Sequence, residues 1–371
     1  MKVACVGGGP AGLYLSILLK LRDPSHDVTV HERNPEGTTY GWGVTYWRGL
    51  LDRLHAQDPV TARAIEASSV RWNQGVAHVR DLTARQPGDE GHGIGRHRLL
   101  EILADRARSL GVHLDFEHEI TPDALPDADL VVACDGVRST LRARYADHFG
   151  TQISMGRNRY VWLGTSKVFD AFTFSFVETA HGWIWCYGYG FGPEASTCVV
   201  ECSPETFTGL GLHRASEADG LALLEKLFAD VLDGHPLRGR PSGTTLALED
   251  AMALAAALYE QPTLPRALAH YEDERRRALL PVQSAARYSA LWYENLPRYM
   301  QLPPQQMFAL LGQRHSPLLP HVPPQLYYRI DRAAGQVETL RRLKRWLGPR
   351  VARTVQARSA RPYSEGSVPR T

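Results

Sequence analysis

The feature that most constrains this chain is a glycine-rich turn within its first twelve residues. The apolar run from Val3 to Val6 leads into the string GGGPAG, and a second apolar run ends at Glu32. This order predicts the strand, turn, helix and strand of a βαβ unit that binds a dinucleotide. Gly7 makes the tight turn, Gly9 lets the backbone approach a pyrophosphate, and Gly12 lets the helix pack closely on the sheet.

Glu32 narrows the choice of dinucleotide. A carboxylate at the end of the second strand accepts hydrogen bonds from ribose hydroxyls and disfavours a 2′-phosphate, so FAD or NAD fits better than NADP. After Glu32 comes an irregular segment, and no third strand follows promptly to complete a simple NAD half-domain. The chain also shows no hydride-transfer acid and base around this unit, which disfavours an NAD-dependent dehydrogenase.

Composition bounds the class of protein. A chain of 371 residues with 43% hydrophobic content can bury a full core, in one large domain or two closely joined ones. No apolar run approaches membrane-spanning length, and the N-terminus enters a strand directly, so we expect a soluble, cytoplasmic protein with no membrane span. The net charge of +2 gives no argument for nucleic acid. The five scattered cysteines indicate reduced core thiols, with no metal-binding spacing.

A second candidate cofactor contact follows a later strand. The segment from Pro87 to Gly95 is predicted to be a polar loop, and a helix is predicted from Arg96 to about Leu110. The apolar run 129–134 then predicts a buried parallel strand that ends in Asp135-Gly136. As a bare dipeptide this pair is equally typical of a turn, but after such a strand it places a carboxylate beside the ligand crevice.

From residue 157 the pattern changes to aromatic, alternating runs that predict an antiparallel sheet. Its rings are either ordinary core or a wall for a flat substrate. The remaining chain is predicted to be helical as far as Trp346. The predicted parts are a first FAD-binding part at 1–155, a sheet domain for substrate at 156–215, a return to the FAD domain at 216–260, helices at 261–350 and a disordered basic tail at 351–371.

Together these features resemble the group A flavoprotein aromatic hydroxylases. The fold class implied is α/β, with a Rossmann-like FAD-binding domain, an inserted antiparallel sheet and C-terminal helices. The resemblance is strongest to the branch that acts on aryl-CoA thioesters such as salicylyl-CoA and anthraniloyl-CoA, with the protodeoxyviolaceinate branch nearby. It covers residues 1 to about 350. The strings that carry it are GWGV (41–44), GIGR (93–96), RN (157–158), WLGT (162–165), FDAFTF (169–174), VEC (200–202) and GTTLALEDA (243–251).

The resemblance implies an FAD-dependent monooxygenase. NADH or NADPH reduces the flavin, O2 adds to it as a C4a-hydroperoxide, and one oxygen atom passes to the aromatic ring. No side chain is expected to act as a general base, and no metal is expected. The implied cofactor contacts are Gly7, Gly9, Pro10, Ala11, Gly12, Glu32, Arg33, Gly43, Arg96, Asp135, Gly136, Gly243 and Thr244. The aromatic candidates for the substrate pocket are Trp42, Tyr46, Trp183 and Tyr187.

One segment departs from the family pattern. Such hydroxylases carry a further strand ending in a Gly-Asp pair before the helix start at Gly243, and the chain shows neither a strand-like run nor that pair between Leu232 and Leu246. Either residues of the molecule are missing at Arg240-Pro241 or the strand is truly deleted. The intact flanking sequence favours missing residues. A true deletion would weaken FAD binding, and it keeps open a non-catalytic flavin-fold protein that serves in binding or assembly.

Overall fold

The computed structural model describes residues 1–39, 41–239 and 245–336. For residues 245, 246 and 334–336 it describes the backbone only. The described strands are β1 (Lys2–Val6), β2 (Asp27–Glu32), β3 (Gly43–Trp47), β4 (Val70–Val79), β5 (Leu82–Gly95), β6 (His113–Phe116), β7 (Leu130–Ala133), β8 (Arg159–Thr165), β9 (Phe172–Thr179), β10 (Gly182–Gly192), β11 (Ala195–Cys202) and β12 (Leu237–Gly239).

The helices alternate with these strands in the first part of the chain and dominate after residue 245. They are α1 (Pro10–Arg22), α2 (Arg48–Gln57), α3 (Pro59–Ala67), α4 (Arg96–Ser109), α5 (Thr140–Arg144), α6 (Ala146–Phe149), α7 (Pro204–Gly209), α8 (Glu217–Leu227), α9 (Ala229–Leu232), α10 (Thr245–Glu260), α11 (Leu264–Glu294), α12 (Leu296–Tyr299), α13 (Pro304–Gly312) and α14 (Pro324–Gln336), with a 3-10 turn at Leu319–His321.

Four parallel strands form the first sheet, in the order β6-β2-β1-β7. The central strand β1 is buried from Val3 to Val6, which explains its unbroken apolar sequence. Helix α1 crosses from β1 to β2 and packs against α4 and α10. The carboxyl ends of β1, β2 and β7 therefore meet at one edge of the sheet, where ligands bind in folds of this kind.

The second sheet has eight strands in the order β12-β8-β11-β10-β9-β4-β5-β3. The predicted antiparallel run after residue 157 is present as β8 to β11, but β3, β4 and β5 join it, and the β4–β9 pair is parallel. The sheet is therefore larger than the sequence indicated and mixed. The α/β fold class is confirmed.

The prediction of a polar loop from Pro87 to Gly95 was wrong, because these residues form the second half of β5. Alternate glycines make this possible. A Cβ at Gly91 would lie 2.5 Å from the indole nitrogen of Trp72, and one at Gly93 would lie 2.0 Å from the carbonyl oxygen of Gly190. The glycines that resemble loop residues in the sequence are needed for close packing of strands.

The expectation of no strand between Leu232 and Leu246 also needs correction. Strand β12 pairs antiparallel with β8, with Leu237 opposite Thr165, and Leu237 is buried. A single inward leucine suffices for so short a strand, so no apolar run marks it. It does not belong to the parallel sheet, however, and the Arg240-Pro241 junction lies outside the described residues.

The chain divides into two compact units, residues 1–274 and residues from Arg275 onward. In the second unit, α12 packs by stacking Tyr299 on Trp292, with ring centroids 4.8 Å apart. The predicted domain boundaries at 155, 215 and 260 remain predictions, and the predicted basic tail at 351–371 lies outside the described residues. Of the helices that the structure describes, none has the length and apolar character to cross a membrane.

Candidate dinucleotide site

The turn after β1 has the geometry that its glycines predict. Gly7 has φ +115°, in the region that favours glycine, and its N–H donates to the carbonyl of His31 at 2.8 Å. A Cβ on Gly7 would lie 2.3 Å from the carbonyl oxygen of Cys134, so the turn packs directly on the end of β7. The residue at this position must be glycine for both reasons.

Helix α1 starts directly after this turn. Pro10 occupies its first position, and Gly9 precedes it without a side-chain cap, so the early N–H groups, including those of Ala11 and Gly12, are not capped from within the turn. A Cβ on Gly12 would lie 2.2 Å from the carbonyl oxygen of Gly7, whereas a Cβ on Gly9 would meet nothing within 4 Å. The helix terminus therefore has open space beside Gly9, which suits an anionic group.

Glu32 ties the turn to the end of β2. Its Oε2 accepts from the N–H of Gly8 at 2.8 Å, and its Oε1 accepts from the backbone and side-chain nitrogens of Asn34 at 2.9 and 2.6 Å. Each carboxylate oxygen has further lone pairs, so these bonds orient the group and leave it able to accept from hydroxyls.

A cavity of about 380 Å³ lies at the carboxyl edge of the parallel sheet. This volume falls within the roughly 300–1,000 Å³ range of small-molecule sites. The cavity brings together seven of the residues predicted from sequence, namely Gly7, Gly9, Glu32, Arg33, Arg96, Asp135 and Gly136. Positions far apart in the chain thus converge on one cavity, as the βαβ pattern and the later Asp-Gly pair indicated.

Asp135 provides a test of whether the cavity fits a polar cofactor. Its Oδ2 accepts from the N–H groups of Thr140 and Leu141 at 2.9 and 3.4 Å, which anchors the start of α5. Its Oδ1 is buried and has no hydrogen-bond partner in the described structure. A buried acceptor without a partner is costly, so a donor from a bound ligand would satisfy it. The open space beside Gly9 and this orphaned oxygen together fit a dinucleotide.

Arg96 connects this cavity to the second sheet. It begins α4, its side chain lines the cavity, and burial lowers the pKa of its guanidinium. Its backbone N–H donates to the carbonyl of Trp42 at 2.8 Å. The indole of Trp42 covers Gly164, where a Cβ would lie 2.3 Å from the ring.

Gly43 is buried at the start of β3 and does not line the described cavity. Its carbonyl accepts from the hydroxyl of Tyr189 at 3.0 Å, and its N–H donates to Thr197 Oγ1 at 3.0 Å. Burial raises the pKa of Tyr189 to about 12, so this hydroxyl stays a neutral donor. A Cβ on Gly43 would lie 2.4 Å from the ring of Phe191. Gly243 and Thr244 lie outside the described residues.

The other aromatic candidates are spread over the second sheet. Tyr187 of β10 is half-buried and packs on Phe172 of β9, with ring centroids 6.1 Å apart and nearly parallel planes. Trp183 is buried near the start of β10, beneath the guanidinium of Arg80. Tyr46 of β3 is buried, and its hydroxyl lies 2.7 Å from Ser69 Oγ. The structure does not bring these rings into one group.

Sequence reasoning missed several residues of the cavity wall. His31, Arg108, His118 and Arg138 all line the cavity without having been assigned to it. His31 directly precedes Glu32, and Arg138 lies two positions after Gly136, so closeness in sequence to the motifs was an available signal. Arg108 lies near the other end of α4 from the predicted contact Arg96, and His118 lies in the turn after β6, and the approach of these two segments to the cavity could not be read from the sequence.

Fold and site together define a class of protein. A glycine turn, an acid at the end of β2 and a carboxylate after β7 line one cavity at the edge of a parallel sheet, which is the pattern of a dinucleotide-binding fold. A mixed aromatic sheet is joined to this part through β3 and α4. This is the architecture of a two-part flavin enzyme.

Comparison with known proteins agrees with this class. No family model matches the chain. This chain is 34% identical to salicyloyl-CoA 5-hydroxylase of Streptomyces sp, and the match covers 81% of this chain and 67% of that protein. It is 32% identical to 3-hydroxy-4-methyl-anthranilyl-[aryl-carrier protein] 5-monooxygenase of Streptosporangium sibiricum over 80% of its length and 90% of that protein.

A solved structure supports the fold. The chain superposes on 2-methyl-3-hydroxypyridine-5-carboxylic acid oxygenase with a TM-score of 0.63 at 17% identity, covering 80% of this chain and 92% of that one. The chain belongs to the flavin-dependent aromatic monooxygenases, whose cofactor is FAD and whose reductant is NADH or NADPH. The predicted enzyme class is confirmed, and the catalytic interpretation is supported over a non-catalytic one.

Proposed function

We propose that this protein hydroxylates an aromatic ring presented as a thioester, on CoA or on a carrier protein. The observation that carries the flavin-dependent activity is the cavity in which the glycine turn, Glu32 and Asp135 meet. When bound there, FAD supplies the transfer of one oxygen atom from O2 to the ring, with electrons from NADH or NADPH. The chain's own residues then have to bind the cofactor, orient the substrate ring and exclude water from the site.

The cofactor would be held mainly by backbone groups and two carboxylates. The uncapped start of α1, at Pro10, Ala11 and Gly12, would face the pyrophosphate across Gly9. Glu32 would accept from ribose hydroxyls, and Asp135 Oδ1 would gain the donor that it lacks. Arg33 and Arg96 would place their positive charges at the polar periphery of the cofactor.

The flavin ring would lie toward the second sheet. Trp42 and Gly43 connect Arg96 to β8, β10 and β11, and Gly243 and Thr244 are proposed near the same ring from resemblance alone. No side chain in this arrangement needs to take a proton from the substrate, because the oxygen transfer belongs to the cofactor.

The ring of the substrate would rest against the aromatic face of β9 and β10. Phe172 and Tyr187 are half-buried there, while Phe174 and Tyr189 are buried beside them. Ring centroids along this face lie 5.5 to 6.1 Å apart for the pairs Phe172–Tyr189 and Phe174–Tyr187. Such a face stacks a flat substrate and excludes water from it.

The thioester class rests on the relatives. One is named for salicyloyl-CoA and another for an anthranilyl group on an aryl-carrier protein, and both names place the aromatic ring on a thioester carrier. The resemblance through WLGT (162–165) and FDAFTF (169–174) points the same way.

We further propose that the protein works in the cytoplasm. Its cysteines are free thiols, and Cys5, Cys186, Cys198 and Cys202 are buried. Unpaired buried thiols fit a reducing compartment.

The test is NADH and NADPH oxidation by the FAD-loaded protein in the presence of salicylyl-CoA or anthraniloyl-CoA, with free salicylate and anthranilate beside them. We expect the thioesters to stimulate oxidation and to yield hydroxylated thioester by mass spectrometry. Stimulation by the free acids with none by the thioesters would overturn the proposed substrate class. A matched pair of variants adds a second test. Tyr187→Ala, on the aromatic face, should raise the KM for the thioester. Tyr160→Ala, on the exposed side of β8, should leave that KM unchanged.

A further inference from the structure

Three metal-ligating side chains meet beside the dinucleotide cavity. They are His31 at the end of β2, Asp115 of β6 and His118 in the turn that follows. Asp115 Oδ2 lies 3.0 Å from His31 Nδ1 and 2.5 Å from His118 Nδ1. The three ligand atoms all lie within 4.8 Å of one another, and both imidazoles line the cavity.

The backbone holds these groups in place. His31 and Asp115 are direct partners in the parallel pairing of β2 and β6, so their spacing is fixed by the sheet. The N–H of His118 donates to the carbonyl of Glu32 at 3.0 Å, and Glu117 adopts φ +57° to turn the chain back toward β2. The two imidazoles pack edge to face, with centroids 5.1 Å apart. Two of the three ligands, His31 and Asp115, therefore lie on paired strands and lose little freedom when they bind an ion, and the third is held by the backbone bond of its turn.

The donor set favours a transition metal. Two imidazole nitrogens and a carboxylate oxygen suit Zn²⁺ and its neighbours, whereas Mg²⁺ and Ca²⁺ prefer oxygen ligands. Zinc bonds of about 2.0 Å in a tetrahedron place ligand atoms about 3.3 Å apart, so only small side-chain shifts are needed. Each neutral imidazole can carry its proton on Nε2, which frees Nδ1 to bind metal in place of its hydrogen bond to Asp115.

We propose that His31, Asp115 and His118 form a zinc-type metal site on the wall of the dinucleotide cavity. The three residues supply three ligands, and the remaining position is filled from the cavity by water. The site is independent of the substrate class proposed above, and none of its ligands is among the contacts assigned to FAD.

The experiment uses the full chain without a polyhistidine tag, stripped with a chelator and titrated with Zn²⁺ against a chromogenic competitor. Co²⁺ is added separately for its visible spectrum. We expect one ion per chain and Co²⁺ bands typical of tetrahedral N and O ligation. Asp115→Asn and His118→Ala should each weaken Zn²⁺ binding by about 10- to 100-fold or more, since loss of even an outer-shell partner costs that much.

The matched control is His26→Ala. His26 Nδ1 also lies near a carboxylate, 3.5 Å from Asp23 Oδ2, but this pair belongs to no three-residue group in the described structure. Its variant should bind Zn²⁺ unchanged. His118 is about half exposed and Asp115→Asn keeps the side-chain shape, so both variants should stay folded by circular dichroism. Absence of stoichiometric binding, or equal binding by the folded His118→Ala protein, would overturn the proposal.

Discussion

At the scale of single residues, the three glycines assigned to the cofactor in the string GGGPAG, namely Gly7, Gly9 and Gly12, differ in their surroundings. Gly7 and Gly12 each sit against backbone, where an added Cβ would lie 2.3 or 2.2 Å from a carbonyl oxygen. Gly9 has free space around its missing Cβ and an ordinary negative φ of −77°. We therefore expect Gly7 and Gly12 to be needed for folding, and Gly9 to be needed for the pyrophosphate that we propose beside it.

Gly9→Val tests this difference. The variant should fold normally, because a Cβ at this position would meet no atom within 4 Å, but it should bind FAD at least about 10-fold more weakly by filling the approach to the pyrophosphate. FAD fluorescence titration measures the loss. A folded variant with undiminished FAD affinity would refute the assignment of Gly9. Gly12→Ala should instead lower Tm, since the carbonyl of Gly7 cannot move away.

Asp58 is a second residue whose contacts predict a measurable effect. It is buried, and its carboxylate accepts from Arg106 Nε and Nη2 at 3.0 and 3.2 Å and from Thr61 Oγ1 at 2.6 Å. Burial alone would raise its pKa, but the hydrogen bonds from Arg106 and Thr61 outweigh that effect and hold the pKa below its ordinary value. The group therefore links α3 to α4 as a charged acceptor.

Asp58→Ala should destabilise the protein by about 3 kcal/mol, because it leaves Arg106 without its buried partner. Since the folded pKa is depressed, the contribution is full above the unfolded pKa and is lost as pH falls through the folded pKa. Chemical denaturation at neutral and acidic pH should show the difference between variant and parent shrinking in acid. Asp52→Ala, in an exposed pair with Arg48, is the control and should change stability by less than about 1 kcal/mol. An Asp58→Ala effect as small as the control, or independent of pH, would contradict the account.

At the scale of elements, β5 shows why glycine can mislead a prediction. Its second half alternates glycine with His92 and Ile94, and both of these side chains are buried. The alternation has the period of a strand, but glycines and acids are also typical of the polar loop that the sequence analysis predicts here. The reason for the glycines is the close approach of Trp72 and of the Gly190 carbonyl, which only the folded sheet reveals.

Gly93→Ala should therefore lower stability, at the upper end of the roughly 1–3 kcal/mol typical of overpacking, because its Cβ would press on backbone. Gly88→Ala in the same strand is the matched control, since its Cβ would find neighbours only at 3.9 Å and beyond. Thermal unfolding compares the two. Equal Tm values would mean that the contact at Gly93 does not constrain the strand.

The outer side of β7 yields a prediction about the Gly-Asp strand that the family pattern carries before Gly243. Within the described residues β7 pairs only with β1, and Val131 and Val132 are half-buried. We expect insertion of a strand ending in Gly-Asp after Arg240 to tighten FAD binding and reduce aggregation, because the strand would cover this edge. Light scattering and FAD titration compare the two chains. Tight FAD binding by the unmodified chain, with no gain on insertion, would contradict this expectation.

At the scale of the whole molecule, the features that could be predicted are those that depend on the order of consecutive segments along the chain. The βαβ unit, α4, the strand before Asp135 and the cofactor edge all follow from apolar periodicity and glycine spacing in consecutive segments. The joining of β3, β4 and β5 to the second sheet depends on pairings between distant segments, such as Gly75 with Phe172, which periodicity does not encode. For the same reason the positions of Trp183 and Tyr46 were not predictable.

The account's central claim is that FAD binds in the cavity formed by the glycine turn, Glu32 and Asp135. The most direct measurement is equilibrium titration of FAD with the purified chain, its 371-residue length verified by intact mass. The account predicts saturation at one FAD per chain, at a higher FAD concentration than the chain with the inserted strand needs, with quenching of flavin fluorescence and no comparable binding of NADP. A folded chain that fails to saturate with FAD would contradict it.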